Sequence, residues 1–207
     1  MPRQNRITPF GDIIATPARG QMMGNRGGCL HDEHGELTQR RWTNSAWISC
    51  VLEWKGYRQT INAPGKYTQL FFLDEATAMA AGHRPCAQCR RDAFNRFKAA
   101  WAGAFPDRGT SPRAPEMDMV LQSSRIDRVS RAQVRYKDSW RDLPDFAFFT
   151  DEASQTAYMK RNDKALPWSV NSYGDAILPP RETVMVLTPR PLVDVLRAGY
   201  VPYIAAD

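Results

Sequence analysis

The sequence predicts an α+β fold, and three stretches carry that prediction. Residues 46–54 are rich in β-branched and aromatic residues and read as a strand. Residues 75–81 lie between Asp74, a good helix N-cap, and Gly82, a left-handed stop, and read as a short helix. Beyond them Phe94, Phe97, Trp101 and Phe105 recur at spacings of three and four, which makes one buried stripe on a second helix.

Taken in order, residues 1–28 read as a loose lead-in. Ile13-Ile14 is a short strand between Pro9 and Pro17, and Gly20, Gly24, Gly27 and Gly28 make 20–28 flexible. Asn25-Arg26-Gly27-Gly28 is a turn whose backbone can approach a phosphate. The next seven residues hold Cys29, His31, Asp32, Glu33 and His34, a set suited to metal ligation, to general-base work or to a plain polar turn. In the strand 46–54, period two places Ile48, Cys50, Leu52 and Trp54 on one face and directs Cys50 inward, as a ligand or as a core thiol. Lys55-Gly56 turns the chain into a returning strand at 57–61, and 66–73 is a further strand. Pro85 suits the first position of a helix, which puts Cys86 and Cys89 in its first turn. Residues 103–116 form a Gly/Pro-rich linker. A helix over 117–132 follows, its Arg125, Arg128, Arg131 and Arg135 forming a basic ridge or a solvated face. Strands at 146–149, 156–160 and 183–187, with aromatic loops around Trp168 and Tyr173 and a final helix at 192–198, suggest a small antiparallel sheet.

Composition narrows the function classes. With 43% hydrophobic and 11% aromatic residues the chain buries a real core and is not disordered. It holds no apolar run of the roughly 20 residues that cross a bilayer, and its first residues lack a secretory signal, so a cytoplasmic location is expected. The formal charge is +6. Residues 42–102 hold eight Lys/Arg against four Asp/Glu, whereas 143–207 hold six against eight. A surplus concentrated around the paired cysteines fits a polyanion partner, with ordinary solubility charge as the competing reading. There is no Walker loop, dinucleotide fingerprint, Gly-x-Ser-x-Gly elbow or His-Glu-x-x-His.

Four cysteines without an export signal argue against a disulfide framework. Cys86-x-x-Cys89 then reads as metal or redox. A thioredoxin-like pair follows a strand in a βαβ unit; this one follows a helix and a Gly-His-Arg-Pro turn, which favours metal. A closed structural zinc site takes four ligands, and Cys29, His31, His34, Cys50 and His83 are the candidates for the other two.

On Ala76 through Gly82, Arg84-Pro85-Cys86 and Cys89, residues 70–91 resemble the zinc-binding module of Ada-type DNA repair proteins. The resemblance implies a Zn2+ ion, an association with DNA, Cys86 and Cys89 as ligands, and Arg84 as a phosphate contact. The chain departs from that module in two ways. His83 replaces an aromatic residue, and the first Cys-x-x-x-Cys pair, one thiolate of which accepts a methyl group, is absent. Cys29 and Cys50 are the remaining upstream thiols that would complete four ligands, with His31 as the alternate. The whole chain is also similar to a bacterial family without an assigned function, sharing its Gly-Asn-Arg-Gly, Phe-Phe-Leu-Asp-Glu-Ala and Gly-His-Arg-Pro-Cys signatures.

The expected organisation is a zinc-stabilised β-hairpin/helix unit at 1–105, a linker and basic helix at 106–142, and a small mixed, mostly antiparallel sheet unit at 143–207, all able to pack as one domain. The expected function is a zinc-binding protein that binds DNA and acts on modified or damaged forms of it, with Arg26, Arg84, Arg90, Arg91 and Arg96 as nucleic-acid contacts. The alternatives are a nuclease or base-excising glycosylase using His31, Asp32 and Glu33, and a zinc-stapled protein-interaction module.

Overall fold

A computed structural model describes residues 1–56, 60–151, 155–179 and 181–205. The fold is α+β, with two sheets. The N-terminal sheet is built from β1 (Gln4–Ile7), β2 (Ile13–Ala15), β3 (Met22–Arg26), β4 (Trp47–Cys50), β5 (Leu70–Phe72) and β6 (Arg84–Pro85), in the order β2-β1-β5-β3-β4-β6. Its pairings are mixed: β1 with β5 and β4 with β6 are parallel, the others antiparallel. The C-terminal sheet joins β7 (Tyr136–Ser139), β8 (Phe148–Thr150), β9 (Ala157–Arg161), β10 (Lys164–Pro167) and β11 (Thr183–Val186), in the order β10-β9-β8-β11-β7, with every pairing antiparallel. The helices are α1 (Glu75–Ala80), α2 (Arg91–Ala104), α3 (Ala114–Arg125) and α4 (Arg190–Arg197). None of them is long and apolar enough to cross a membrane.

Helix α1 follows its sequence signals. Asp74 caps it by accepting from the Thr77 N–H at 2.8 Å, and Gly82 leaves it at φ +84. The stripe on α2 is buried through Phe94, Phe97 and Trp101. It shares one core with Met79, with Val184 and Val186 of β11, and with Leu192, Val195 and Leu196 of α4.

The structure corrects several sequence expectations. Residues 22–26 are strand, not flexible loop: β3 pairs with both β4 and β5, and a Cβ on Gly24 would collide with the Ile48 carbonyl. That glycine serves close strand approach rather than mobility. β4 ends at Cys50, and its neighbours are β3 and β6 rather than a returning hairpin strand. The returning strand expected at 57–61 falls partly outside the described residues. Pro85 does not open a helix; it lies on an edge strand, where its missing N–H costs no ladder bond, and α2 starts only at Arg91. Part of the expected linker is ordered as a 3-10 turn at Pro106–Arg108 and the first turn of α3. That helix ends at Arg125, so no continuous basic ridge forms. The aromatic loop around Trp168 is preceded by a further strand, Lys164–Pro167, which the sequence reading did not contain and which follows a tight turn at Asn162 and Asp163, both with positive φ.

Candidate metal centre

The cysteines meet because β4 and β6 pair in parallel, with Ile48 opposite Arg84 and Ser49 opposite Pro85. The Cys86 N–H continues that ladder by donating to Ser49 O at 2.9 Å. Cys50 at the end of β4 therefore lies beside Cys86 just past the end of β6. The chain then turns, with the Arg90 N–H donating to Cys86 O at 3.2 Å, and this turn returns Cys89 to the same spot. The Sγ atoms of Cys50, Cys86 and Cys89 lie within 4.8 Å of one another. A tetrahedral zinc with bonds of about 2.3 Å holds its thiolates about 3.8 Å apart, so this cluster is geometrically fit to coordinate a metal ion such as Zn2+.

Protonation of the three thiols agrees with a cation site. Hydrogen bonds from Cys50 and Cys89 hold Cys86 far below the usual thiol range. Hydrogen bonding to Cys86 and Cys89, together with burial, pushes Cys50 far above it. Cys89 also rises: the bond from Cys50 pulls it down, but Cys86 and burial outweigh that.

The supporting contacts tie this turn to the rest of the fold. The Arg90 guanidinium donates to Ser49 Oγ at 3.0 Å and makes two 2.7 Å bonds to the Glu75 carboxylate. It thus braces both cysteine-bearing segments, the residue before Cys50 and the residue after Cys89. The Gln88 N–H points to Cys86 Sγ at 3.4 Å. All three cysteines line one cavity of about 590 Å³ against the N-terminal sheet. Trp54, Tyr67 and Phe71 supply its aromatic walls, and Arg6, Arg19, Asn25 and Gln88 its polar ones.

The other sequence candidates are placed elsewhere. The Cys29 thiol lies outside this group and donates to His31 O at 3.1 Å. His31 is buried. The Ala63 carbonyl, 3.3 Å from Nε2, can only accept, so Nε2 carries the proton and Nδ1 accepts from the Thr68 hydroxyl at 2.7 Å. Asp32 and Glu33 are exposed, Asp32 accepting from the His34 and Glu36 N–H groups within its own turn. None of the three lines the cavity over the cysteines. His83 is enclosed between Trp47 and Phe72, its Nδ1–H donating to Ala78 O at 3.2 Å.

No protein-family model matches this chain, and neither does any curated protein or solved structure. The likeness of residues 70–91 to Ada-type modules thus rests on the motif alone, while the buried three-cysteine cluster stands on its geometry.

Of the five candidate arginines, two are committed to carboxylates inside the protein. Arg84 makes 2.8 and 2.7 Å bonds to the two carboxylate oxygens of buried Asp118. Arg90 is held by Glu75. Arg26 is 3% exposed and stacks on Trp47. Arg91 and Arg96 are exposed on α2. Arg125, read from the sequence as part of a surface ridge, is buried: its guanidinium donates to Gly82 O at 2.7 Å and Ser45 O at 2.6 Å and lies 4.0 Å from the Trp47 ring centre. A three-to-four spacing of arginines marks a helix face without saying whether that face is wet.

Proposed function

We propose that this chain is a zinc-dependent DNA-binding protein that takes an unpaired or displaced base into the cavity over Cys50, Cys86 and Cys89. The supporting observation is the number of donors. Among the described residues the cluster offers three thiols, and all three line an accessible cavity. A structural zinc closes with four protein ligands, whereas a site with three and an opening keeps a place for water or substrate. Zinc bound there would supply a Lewis acid.

The side chains around the thiols suit such a guest. Trp54, Tyr67 and Phe71 offer ring faces on which a heterocycle stacks. The amides of Asn25 and Gln88 can pair with its polar edge. Arg6 is steadied by the Ala18 carbonyl at 2.6 Å and by stacking on Phe71, and exposed Arg19 lies beside it, so both can meet the attached phosphate. No carboxylate lines the cavity among the described residues, which disfavours hydrolysis by paired acid and base. The motif likeness to Ada-type modules adds weight to DNA as the partner, and the missing first cysteine pair separates this chain from methyl transfer.

Fluorescence anisotropy with the zinc-loaded chain tests this reading. Affinity is expected to fall steeply with salt and to favour single-stranded or mismatched DNA over paired duplex. A Cys50→Ser variant should lose that preference together with its zinc. A flat salt response, or equal binding by zinc-free protein, would remove the reading.

A further inference from the structure

The N-terminal sheet carries a second cavity on the side away from the cysteines. Along β3, Met23 and Asn25 line the metal cavity, so the period-two alternation sends Arg26 to the opposite face. There, Arg26, Arg41, Arg131 and Arg135 line a cavity of about 610 Å³, with Asp12 as the one carboxylate among its described residues. A guanidinium as deeply buried as Arg26 is ordinarily paired with a carboxylate. Here its Nε donates to His83 Nε2 at 3.3 Å and its Nη2 to Gly11 O at 3.1 Å. No carboxylate among the described residues forms an ion pair with it. Burial lowers its pKa to about 9, Asp12 drawing it back up and Arg41 pressing it further down, so at neutral pH it stays a cation lacking a full counter-charge.

The cations are also pre-oriented. Arg26 lies 4.1 Å from the Trp47 ring centre, Arg131 4.8 Å from that of Trp42, and Arg135 5.0 Å from that of Phe10. Stacking fixes the plane of a guanidinium, and the N–H groups not already bonded within the protein, Nη1 in Arg26, remain to meet an oxyanion.

We propose that this cavity is a phosphate monoester site, with Arg26 at its floor and Arg41 and Arg131 at its mouth. Four guanidiniums against one carboxylate call for a dianion rather than a single carboxylate guest. The arginine fork matches phosphate oxygens, and partly exposed Trp42 offers a ring beside them for an attached base. The site uses neither the thiols nor zinc, so it stands or falls apart from the metal cavity. A free phosphate or mononucleotide and the 5′-phosphorylated end of a strand share this chemistry.

The test uses the full zinc-loaded chain with four probes: inorganic phosphate, dAMP, and one oligonucleotide carrying either a 5′-phosphate or a 5′-hydroxyl. Arg41 and Arg131 are exposed, so the double variant Arg41→Ala/Arg131→Ala should keep its zinc content and ligand-free melting temperature. If a strand end is the guest, the phosphorylated oligonucleotide binds the wild type about tenfold more tightly than the hydroxyl form, and the double variant erases that difference. If phosphate and dAMP bind as tightly as the phosphorylated strand and are lost in the same variant, the site stands with a small molecule as its guest. Equal binding of the two oligonucleotides, with no response to phosphate beyond that to chloride at matched ionic strength, overturns it.

Discussion

At Cys50, Cys86 and Cys89, crowding sets the chemistry: three thiols that cannot all ionise alone can do so around one dication. Because Cys50 and Cys89 are pushed up, zinc displaces protons when it binds at neutral pH. The sign follows directly. Protons compete with zinc, so affinity rises with pH and the ion is released as pH falls. Titration of the zinc-free chain with zinc in weak buffer should release protons; release of none would mean the ion binds elsewhere. Elemental analysis should find one zinc per chain. That zinc should be lost in Cys50→Ser, Cys86→Ser and Cys89→Ser and kept in Cys29→Ser, whose thiol donates to His31 O and lies outside the cluster. The Cys86/Cys89 pair was legible in the sequence because its spacing is local. Which upstream thiol joins it was not, since that depends on the parallel pairing of β4 with β6, and no local pattern encodes it.

Among the elements, α1 ties together segments that lie far apart in the chain. Its two ends were readable: Asp74 as cap, Gly82 as stop. Unreadable were the partners of its two buried carboxylates, which come from far along the chain. Besides the cap bond, Asp74 accepts from Tyr173 Oη at 2.7 Å and the Ala205 N–H at 3.2 Å. Glu75 takes Arg90, Tyr200 Oη at 2.6 Å and the Tyr203 N–H at 2.9 Å. The start of α2 was misplaced for a related reason: Pro85 suits a helix start and an edge strand equally, and only the neighbour β4 decides. Helix α3 is locked to β6 by the Arg84–Asp118 pair, whose side chains are 5% and 4% exposed. Asp118→Asn leaves a buried guanidinium without its counter-charge, at a cost of about 3–5 kcal/mol. Glu182→Gln breaks the exposed Arg141–Glu182 pair, which solvent screens, and should cost far less. Urea denaturation of both variants checks this, and equal losses would contradict the contrast in burial.

Over the whole molecule, one chain of contacts runs from the cysteines to the C-terminal segment. Ser49 Oγ meets Arg90, Arg90 meets Glu75, and Glu75 meets Tyr200 and Tyr203. In parallel, Phe97 and Trp101 of α2 share a core with β11 and α4. The sequence suggested three units because composition changes near 105 and 142, yet side chains from before and after those points fill the same interior. We therefore propose that the chain unfolds as one cooperative unit and that zinc stabilises all of it. Binding free energy at a site formed only in the folded state adds to folding free energy, here spread through Arg90 and Glu75 to the C-terminal segment. Removal of zinc by a chelator should lower the denaturation midpoint seen by far-ultraviolet circular dichroism and by tryptophan fluorescence by the same amount. The tryptophans sample both halves, with Trp47 on the strand that ends in Cys50 and Trp140 and Trp168 packed with residues of the C-terminal sheet. If chelation shifted only an early transition and left a second unmoved, the metal unit would be folding independently and the contacts through Glu75 would not couple the two halves.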